Sequence, residues 1–411
     1  MASIFQFLLL LICVATPLAH VQAQPFSPGD PSEVTFASIN LEQYLSQVRE
    51  NNATIGGRRL GLQTATANKT AQSLPNTRPN ISYSRGSWYQ QIPYTPYTTP
   101  TSNTYSLSVN VEGWGKREAR GDYAQAEIGR SAVELDSTTV TVETNALYAY
   151  IDTLRNAIQW QAYQSAITKM TTLPVNSKTK AAEQNLLTGK TAALDDLQYN
   201  ALGMLNYSGD SIHDLPFPKG RLDLPVQSFQ LPELVDRAQK SRVDVLSTEA
   251  ALQSADKNIA LTQKNRLIDI SPYVSYTTTP QYDSSGFTYT RQTAISAGVS
   301  IPIPVNNFLQ DADIVQAANA KTELEMIYRD LKIRIRNEVS QALLQYNAAK
   351  KQLAQAELAH SQTTATPDKD AVQAIANERD RMGELIDART NHVKALVNVM
   401  RMSGDYAIPK I

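Results

Sequence analysis

Apolar positions in the second half of the chain step along it in a coiled-coil rhythm. Leu324, Tyr328, Leu331, Ile335, Val339, Ala342, Tyr346, Ala349, Leu353 and Ala356 are always three or four residues apart. That is the ~3.5-residue average of a helix seam facing a partner, and it predicts a long helix over about 310–362. Leu147, Ile151, Leu154 and Ile158 keep the same rhythm in a counterpart over about 116–170. At ~1.5 Å per residue, about 50 residues make a rod of roughly 75 Å, longer than a compact core needs. A shorter helix opens at Leu41, where Asn40 and Gln43 have the spacing of a capping box, and runs to about Ser73 before Pro75 and Pro79 stop it.

Elsewhere the period changes to two. Tyr105, Leu107, Val109 and Val111 alternate with Ser106, Ser108, Asn110 and Glu112. Ile295, Ala297, Val299, Ile301 and Ile303 alternate with Ser296, Gly298, Ser300 and Pro302, and Ile268, Ile270, Pro272, Val274 and Tyr276 continue the theme. One apolar and one small or polar face suits a half-buried sheet in water, and equally a membrane barrel with lipid outside and water inside. Aromatic residues tip the balance toward lipid: 12 of the chain's 30 fall within 81–114 and 268–304. Trp88, Tyr89, Tyr94, Tyr97, Tyr282, Phe287 and Tyr289 flank the turns, where an interfacial girdle would sit. The loops Gln91–Thr101 and Thr279–Gly286 are rich in Pro, Thr and Ser, which suits an outer surface.

The two halves repeat one another. Leu41-Glu42-Gln43-Tyr44-Leu45 and Leu231-Pro232-Glu233-Leu234-Val235 open two similar stretches, and Val109 and Val299 follow at the same distance beyond them. So long a period means duplication of a whole folding unit. Residues 40–207 form repeat 1: a helix, a β-hairpin at about 80–114, the long helix and a short helix. Residues 231–405 form repeat 2, with its hairpin at about 268–304. A Pro-rich connector, 208–230, lies between them, 24–39 is an extended N-terminal segment, and 406–411 is a C-terminal tail. Two hairpins supply four strands. The smallest useful membrane barrels have about eight, and an open edge is forbidden in lipid, so a barrel must be assembled from several chains.

Composition removes whole classes of function. Lys plus Arg total 38 against 39 for Asp plus Glu, a balance that argues against a nucleic-acid partner. The one cysteine, Cys13, excludes a disulfide framework. It falls in the apolar run Phe7–Ala15, which precedes the small-x-small site Val21-Gln22-Ala23, so residues 1–23 read as a cleaved secretory signal. Bulky Ile12 speaks against lipidation of Cys13. His20 leaves with the signal, and His213, His360 and His392 are scattered, so neither a metal cluster nor a catalytic base is evident. No Walker-type phosphate loop is present, and no cofactor is expected. The chain reads as a non-enzyme.

The ordered set of elements resembles the TolC family of outer-membrane efflux channels. The likeness is carried by Leu74-Pro75-Asn76, Ala146–Leu154, Ala250–Ala260, and Ser300–Val305 leading into Ala317–Tyr346, and it spans about 40–405. It implies an α+β membrane protein, a homotrimer with a transmembrane β-barrel shared by three chains, four strands each. Long antiparallel α-helices would form a periplasmic α-barrel, with each repeat's two shorter helices stacked end to end beside the long one. A periplasmic adaptor protein and an inner-membrane pump are the implied partners, and the function is passive conduction as the outer duct of an efflux or type I secretion system. Ser106, Ser108, Asn110, Ser296 and Ser300 would then line the barrel lumen. An exported coiled-coil spacer or adhesin is the alternative; it explains the heptads but not the hairpins.

The chain departs from the family at the helical tips. Its turns fall at Leu173–Ser177 and Thr363–Asp368, so both helical hairpins are roughly two heptads shorter than the family's. Pro174, Asn176, Thr366 and Pro367 are the adaptor-docking candidates at these turns. Thr188-Gly189-Lys190 and Met382-Gly383-Glu384 look like remnants of the family's tip motif, so either the turns lie elsewhere or the motif sits inside a helix. Asp195, Asp196 and Asp387 either narrow the periplasmic entrance as an acidic gate or stand on a solvated helix face.

Overall fold

The computed structural model describes residues 36–75, 77, 79–87, 101–209, 214–282, 289–302, 311–365, 370–409 and 411. The expected leader, the loop aromatics Trp88, Tyr89, Tyr94, Tyr97 and Phe287, and Thr366 and Pro367 lie outside these residues, as do the side chains of Tyr282 and Tyr289.

In the first half the order is β1 (Phe36–Ile39), α1 (Leu41–Asn51), α2 (Ala53–Ser73), β2 (Pro79–Ser87), β3 (Thr101–Val109), α3 (Lys116–Met170) and α4 (Ser177–Ser208). In the second it is β4 (Leu215–Pro218), α5 (Leu231–Ser241), α6 (Val243–Asn265), β5 (Ser271–Tyr282), β6 (Tyr289–Ser300), α7 (Ala312–Ala365) and α8 (Ala371–Met402). The first long helix keeps its expected bounds. The second runs to Ala365, through the start of the expected turn at Thr363. The capping box at Asn40 forms, with the Gln43 backbone N–H donating to Asn40 Oδ1 at 2.8 Å.

The expected continuous helix to Ser73 is instead broken at Asn52, whose backbone is extended (φ −65°, ψ 120°). There the Asn52 side chain accepts from the N–H groups of Thr54 and Ile55, starting a new helix. Asn competes for backbone hydrogen bonds, which is why the break forms at this residue. The second half breaks at Arg242 (φ −66°, ψ 133°), whose guanidinium binds Asp244 at 2.6 Å and Glu338 at 2.7 Å. A second departure is a short parallel sheet: β1 pairs with β4, Phe36 opposite Leu215 through Ile39 opposite Pro218. Two prolines in β4 hide it from a propensity reading.

Helices α2 and α4 lie along successive parts of α3. Arg58 reaches Glu134 at 3.1 Å near one end, and Gly189 abuts the Tyr163 ring near the other. The core sits at mid-height, where the short helices α1 and α5 dock. One cluster joins Leu41, Tyr44, Leu45 and Val48 to Leu147, Tyr150, Ile151 and Met204. A second joins Leu234, Ala238 and Val245 to Leu331, Ile335, Val339, Tyr346 and Leu396, and two smaller clusters lie nearer the helical turns. In the first two, a seam tyrosine ties the rods to the connecting segments. The buried Tyr150 hydroxyl donates to the Lys219 carbonyl at 2.6 Å, and Tyr346 to the Gln227 carbonyl at 3.1 Å. Burial, only partly offset by the bond to Lys219, pushes the Tyr150 phenol up to about 12.

Candidate functional site

Strands β2, β3, β5 and β6 form one antiparallel sheet in the order β2-β3-β5-β6. Because residues directly opposite share a face, the register sorts the side chains into rows. Ile81, Leu107, Val274 and Ala297 form one row, and Tyr83, Tyr105, Tyr276 and Ile295 the next. The opposite face carries Ser82, Ser106, Ser275 and Ser296 in a row, flanked by Asn80, Ser108, Tyr273 and Gly298. Gly298 leaves room for Tyr273: a Cβ there would sit 2.7 Å from the tyrosine hydroxyl. The apolar face is uncovered, with Ile81 81% and Ile295 78% exposed. A soluble fold buries such rows against another layer; among the described residues no helix covers them.

At the base of the sheet, Gly113-Trp114-Gly115 turns the chain from strand to helix. A Cβ on Gly113 would lie 2.7 Å from the Ile268 carbonyl, so only glycine allows this approach. Gly115 takes a left-handed conformation (φ +83°). Asp269 holds the corner by accepting from the Gly113 N–H at 2.7 Å and from Lys116 Nζ at 2.8 Å. Trp114 between the glycines is 87% exposed.

At the other end, α3 turns into α4 where expected. Asn176 caps α4 through a reciprocal pair with Thr179, and the Thr179 hydroxyl donates to the Pro174 carbonyl at 3.0 Å. Pro174, Val175 and Asn176 are exposed, which leaves a small apolar tip on a rigid turn. Both glycine motifs lie inside helices, Gly189 in α4 and Gly383 in α8. Gly189 still has a packing role, since a Cβ would meet the Tyr163 ring at 2.4 Å, whereas a Cβ on Gly383 would meet nothing within 4 Å.

Of the lumen candidates, Ser106, Ser108, Ser296 and Ser300 occupy the polar face. Asn110 lies just past β3 and accepts from the Ser271 hydroxyl at 3.2 Å. The gate candidates do not gather at the tips. Asp195 and Asp196 are exposed well inside α4, and Asp387 lies well inside α8. Asp387 accepts from Arg155 Nε at 2.6 Å and from Gln159 at 3.0 Å, so its charge is compensated. Asp387 belongs to a ladder of ion pairs joining the α3–α4 hairpin to the α7–α8 hairpin. Its other rungs are Asp152–Lys394 at 2.5 Å, Lys169–Glu378 at 2.6 Å, and Lys178–Asp370 between the two turns. The sequence carries no sign of the ladder, because partners drawn from opposite halves of the chain are indistinguishable from other surface charges.

His392 is 1% exposed on α8, beside the Tyr346 ring, and neither nitrogen has a partner. Burial holds its pKa below the usual imidazole value, with Glu357 opposing and Lys350 adding to the shift. Among the described residues no cluster of His, Cys, Asp or Glu could hold a metal, and no helix is long and apolar enough to cross a membrane.

Paired helical rods and a two-faced four-stranded sheet with open edges make up the described residues. No protein-family model matches the chain, and no curated protein matches it. Solved structures do match over nearly its whole length. A membrane protein from Pseudomonas aeruginosa aligns with a TM-score of 0.63 at 15% identity, covering 93% of this chain and 96% of its own. The Campylobacter jejuni CmeC outer-membrane channel aligns with a TM-score of 0.59 at 14% identity, covering 89% and 85%. The open state of the Neisseria gonorrhoeae MtrE outer-membrane channel gives 0.59 at 15%, covering 89% and 88%. The chain therefore has the fold of the TolC-like outer-membrane channels.

Proposed function

We propose that three copies of this chain close a twelve-stranded barrel through the outer membrane and continue it as a helical tunnel in the periplasm. Substrates from a periplasmic adaptor and an inner-membrane pump would pass through it passively. The observation that carries this reading is the sheet: its apolar rows are uncovered, and its edge strands β2 and β6 are both open. With all neighbours antiparallel, β6 of one copy can pair with β2 of the next and leave no edge, as a bilayer demands. The serine rows then line a wide aqueous lumen. The helical tips, with Pro174, Asn176, Thr366 and Pro367, are where an adaptor would dock. Asp195 and Asp196, exposed on α4, and Asp387, paired with Arg155, would then lie along the helical tunnel above its tips and not at them. Residues 1–23 would direct export and be cleaved off in its course.

Purified protein reconstituted into planar bilayers tests the reading. Ohmic steps of uniform size, slightly cation-selective, are expected. Bilayers that stay silent although the protein has inserted would count against conduction.

A further inference from the structure

The four strands of the sheet hold no Asp, Glu or Lys; their charged residues are Arg85 on β2 and Arg291 on β6. Both belong to the outward face. Arg85 stands opposite Asn103, two residues beyond Tyr83, and Arg291 stands opposite Pro280, four residues beyond Ile295. Both are exposed, and among the described residues neither has an ion pair or a side-chain hydrogen bond. They lie where the face stops being apolar. Beneath them is the tyrosine row, with the Tyr83 hydroxyl donating to Asn103 at 2.8 Å, and beside them are Asn103, Thr278 and Thr293.

Depth along the sheet agrees with this placement. From Asn103 to Val111, the last residue paired, against Ile270, eight residues make about 26 Å of extended chain and ~20 Å along the membrane normal at a typical strand tilt of ~40°, and Trp114 stands three residues further on in the turn. With the turn residues added, that approaches the apolar band of about 25 Å of a membrane barrel, so with Trp114 near one boundary Arg85 stands near the other. A guanidinium without a carboxylate partner at the lipid surface finds its counterion in a headgroup, and its planar fork fits phosphate. The two arginines stand on the two edge strands. Within one chain three strand spacings separate those edges, about 14 Å; a β6–β2 seam between copies would bring the two edge strands side by side.

Resting on the channel reading above, we propose that Arg85 of one copy and Arg291 of the next clasp a phosphate of an outer-leaflet phosphoglycolipid, with one such site at each seam. The two guanidiniums would form charge-assisted hydrogen bonds to the phosphate oxygens while the acyl chains lie over the apolar rows.

The test is native mass spectrometry of the detergent-extracted oligomer titrated with bisphosphorylated lipid A. Its fully dephosphorylated analogue and phosphatidylglycerol serve as the other probes. Up to three lipid A adducts are expected per trimer, and none from the dephosphorylated form. Arg85→Gln or Arg291→Gln should each weaken adduct formation at least tenfold with the oligomer mass unchanged, and Arg85→Lys should retain part of it. Equal binding by the double Gln variant would overturn the proposal, as would a wild-type trimer that takes up no lipid A. Equal, arginine-dependent uptake of phosphatidylglycerol would overturn the glycolipid assignment. A wild-type spectrum showing only a monomer would instead refute the channel reading, so the two failures are distinct.

Discussion

Leu107 and Ser106 are sequence neighbours on the central strand β3, so placing Arg at each in turn interrogates the two faces of one sheet. Leu107 is 47% exposed in the single chain, within the row Ile81, Leu107, Val274 and Ala297. If that face meets water, Leu107→Arg forfeits at most the half-burial of one leucine, about 1 kcal/mol, and the Arg stem restores part of it. If it meets hydrocarbon, the cost is about 2–4 kcal/mol per chain at mid-depth, or roughly 6–12 kcal/mol for a three-chain barrel. Ser106→Arg, on the serine row, should stay within about 0.5 kcal/mol either way, because a wide lumen solvates the new charge. Urea titration of the oligomer in lipid vesicles, followed by tryptophan fluorescence, reads the difference. The expected result is a large fall in midpoint for Leu107→Arg and almost none for Ser106→Arg. Equal shifts, or a larger one for Ser106→Arg, would refute the assignment of faces.

Other consequences follow from packing and charge in the helical part. Gly383→Ala should stabilise α8 by about 0.5–1 kcal/mol through helix propensity, since its Cβ meets nothing within 4 Å. Gly189→Leu should destabilise by about 1–3 kcal/mol by displacing the Tyr163 ring, which lies under the Arg379 guanidinium at 3.7 Å. Thermal melts of the pair check both signs, and a stabilised Gly189→Leu would contradict the packing. His392 predicts a pH dependence. Above its ordinary pKa of 6.5 the imidazole is neutral in folded and unfolded chains, and its contribution to stability is complete. Below that, the unfolded chain binds a proton that the buried ring refuses, so stability falls with pH until the depressed folded value is reached, by up to about 1.4 kcal/mol per unit. Glu357 and Lys350 are the charged groups acting on it. Unfolding of His392→Phe should therefore lose less stability than wild type between pH 8 and 5, and parallel profiles would refute this.

The long rods are legible because their period is sustained: the seam from Leu324 to Ala356 leaves little room for another reading, and its middle members, from Leu331 through Tyr346 to Leu353, are all buried in α7. The hairpins are legible from strict alternation, which the register turns into rows. What escapes depends on contacts distant in sequence or on single-residue backbone choices. The breaks at Asn52 and Arg242 interrupt helices whose apolar pattern continues across them. The β1–β4 pair joins the segments that open the two halves, one of them built on Pro216 and Pro218. The ion-pair ladder at Arg155, Asp387 and Lys394 arises only when two hairpins lie side by side. Asp387 shows the same limit, since spacing in the sequence tells that it is acidic but not that Arg155 faces it. Arg85 and Arg291 stand in plain view as lone charges in polar–apolar strands, and only the register shows that they share a face.

Conduction requires several chains to share one barrel. The direct measurement is the mass of the protein extracted from outer-membrane fractions, by light scattering corrected for bound detergent. A value close to three chains, released by detergent and by nothing milder, is the predicted result. A monomer or dimer that stays in solution without detergent would contradict the shared barrel and with it the duct.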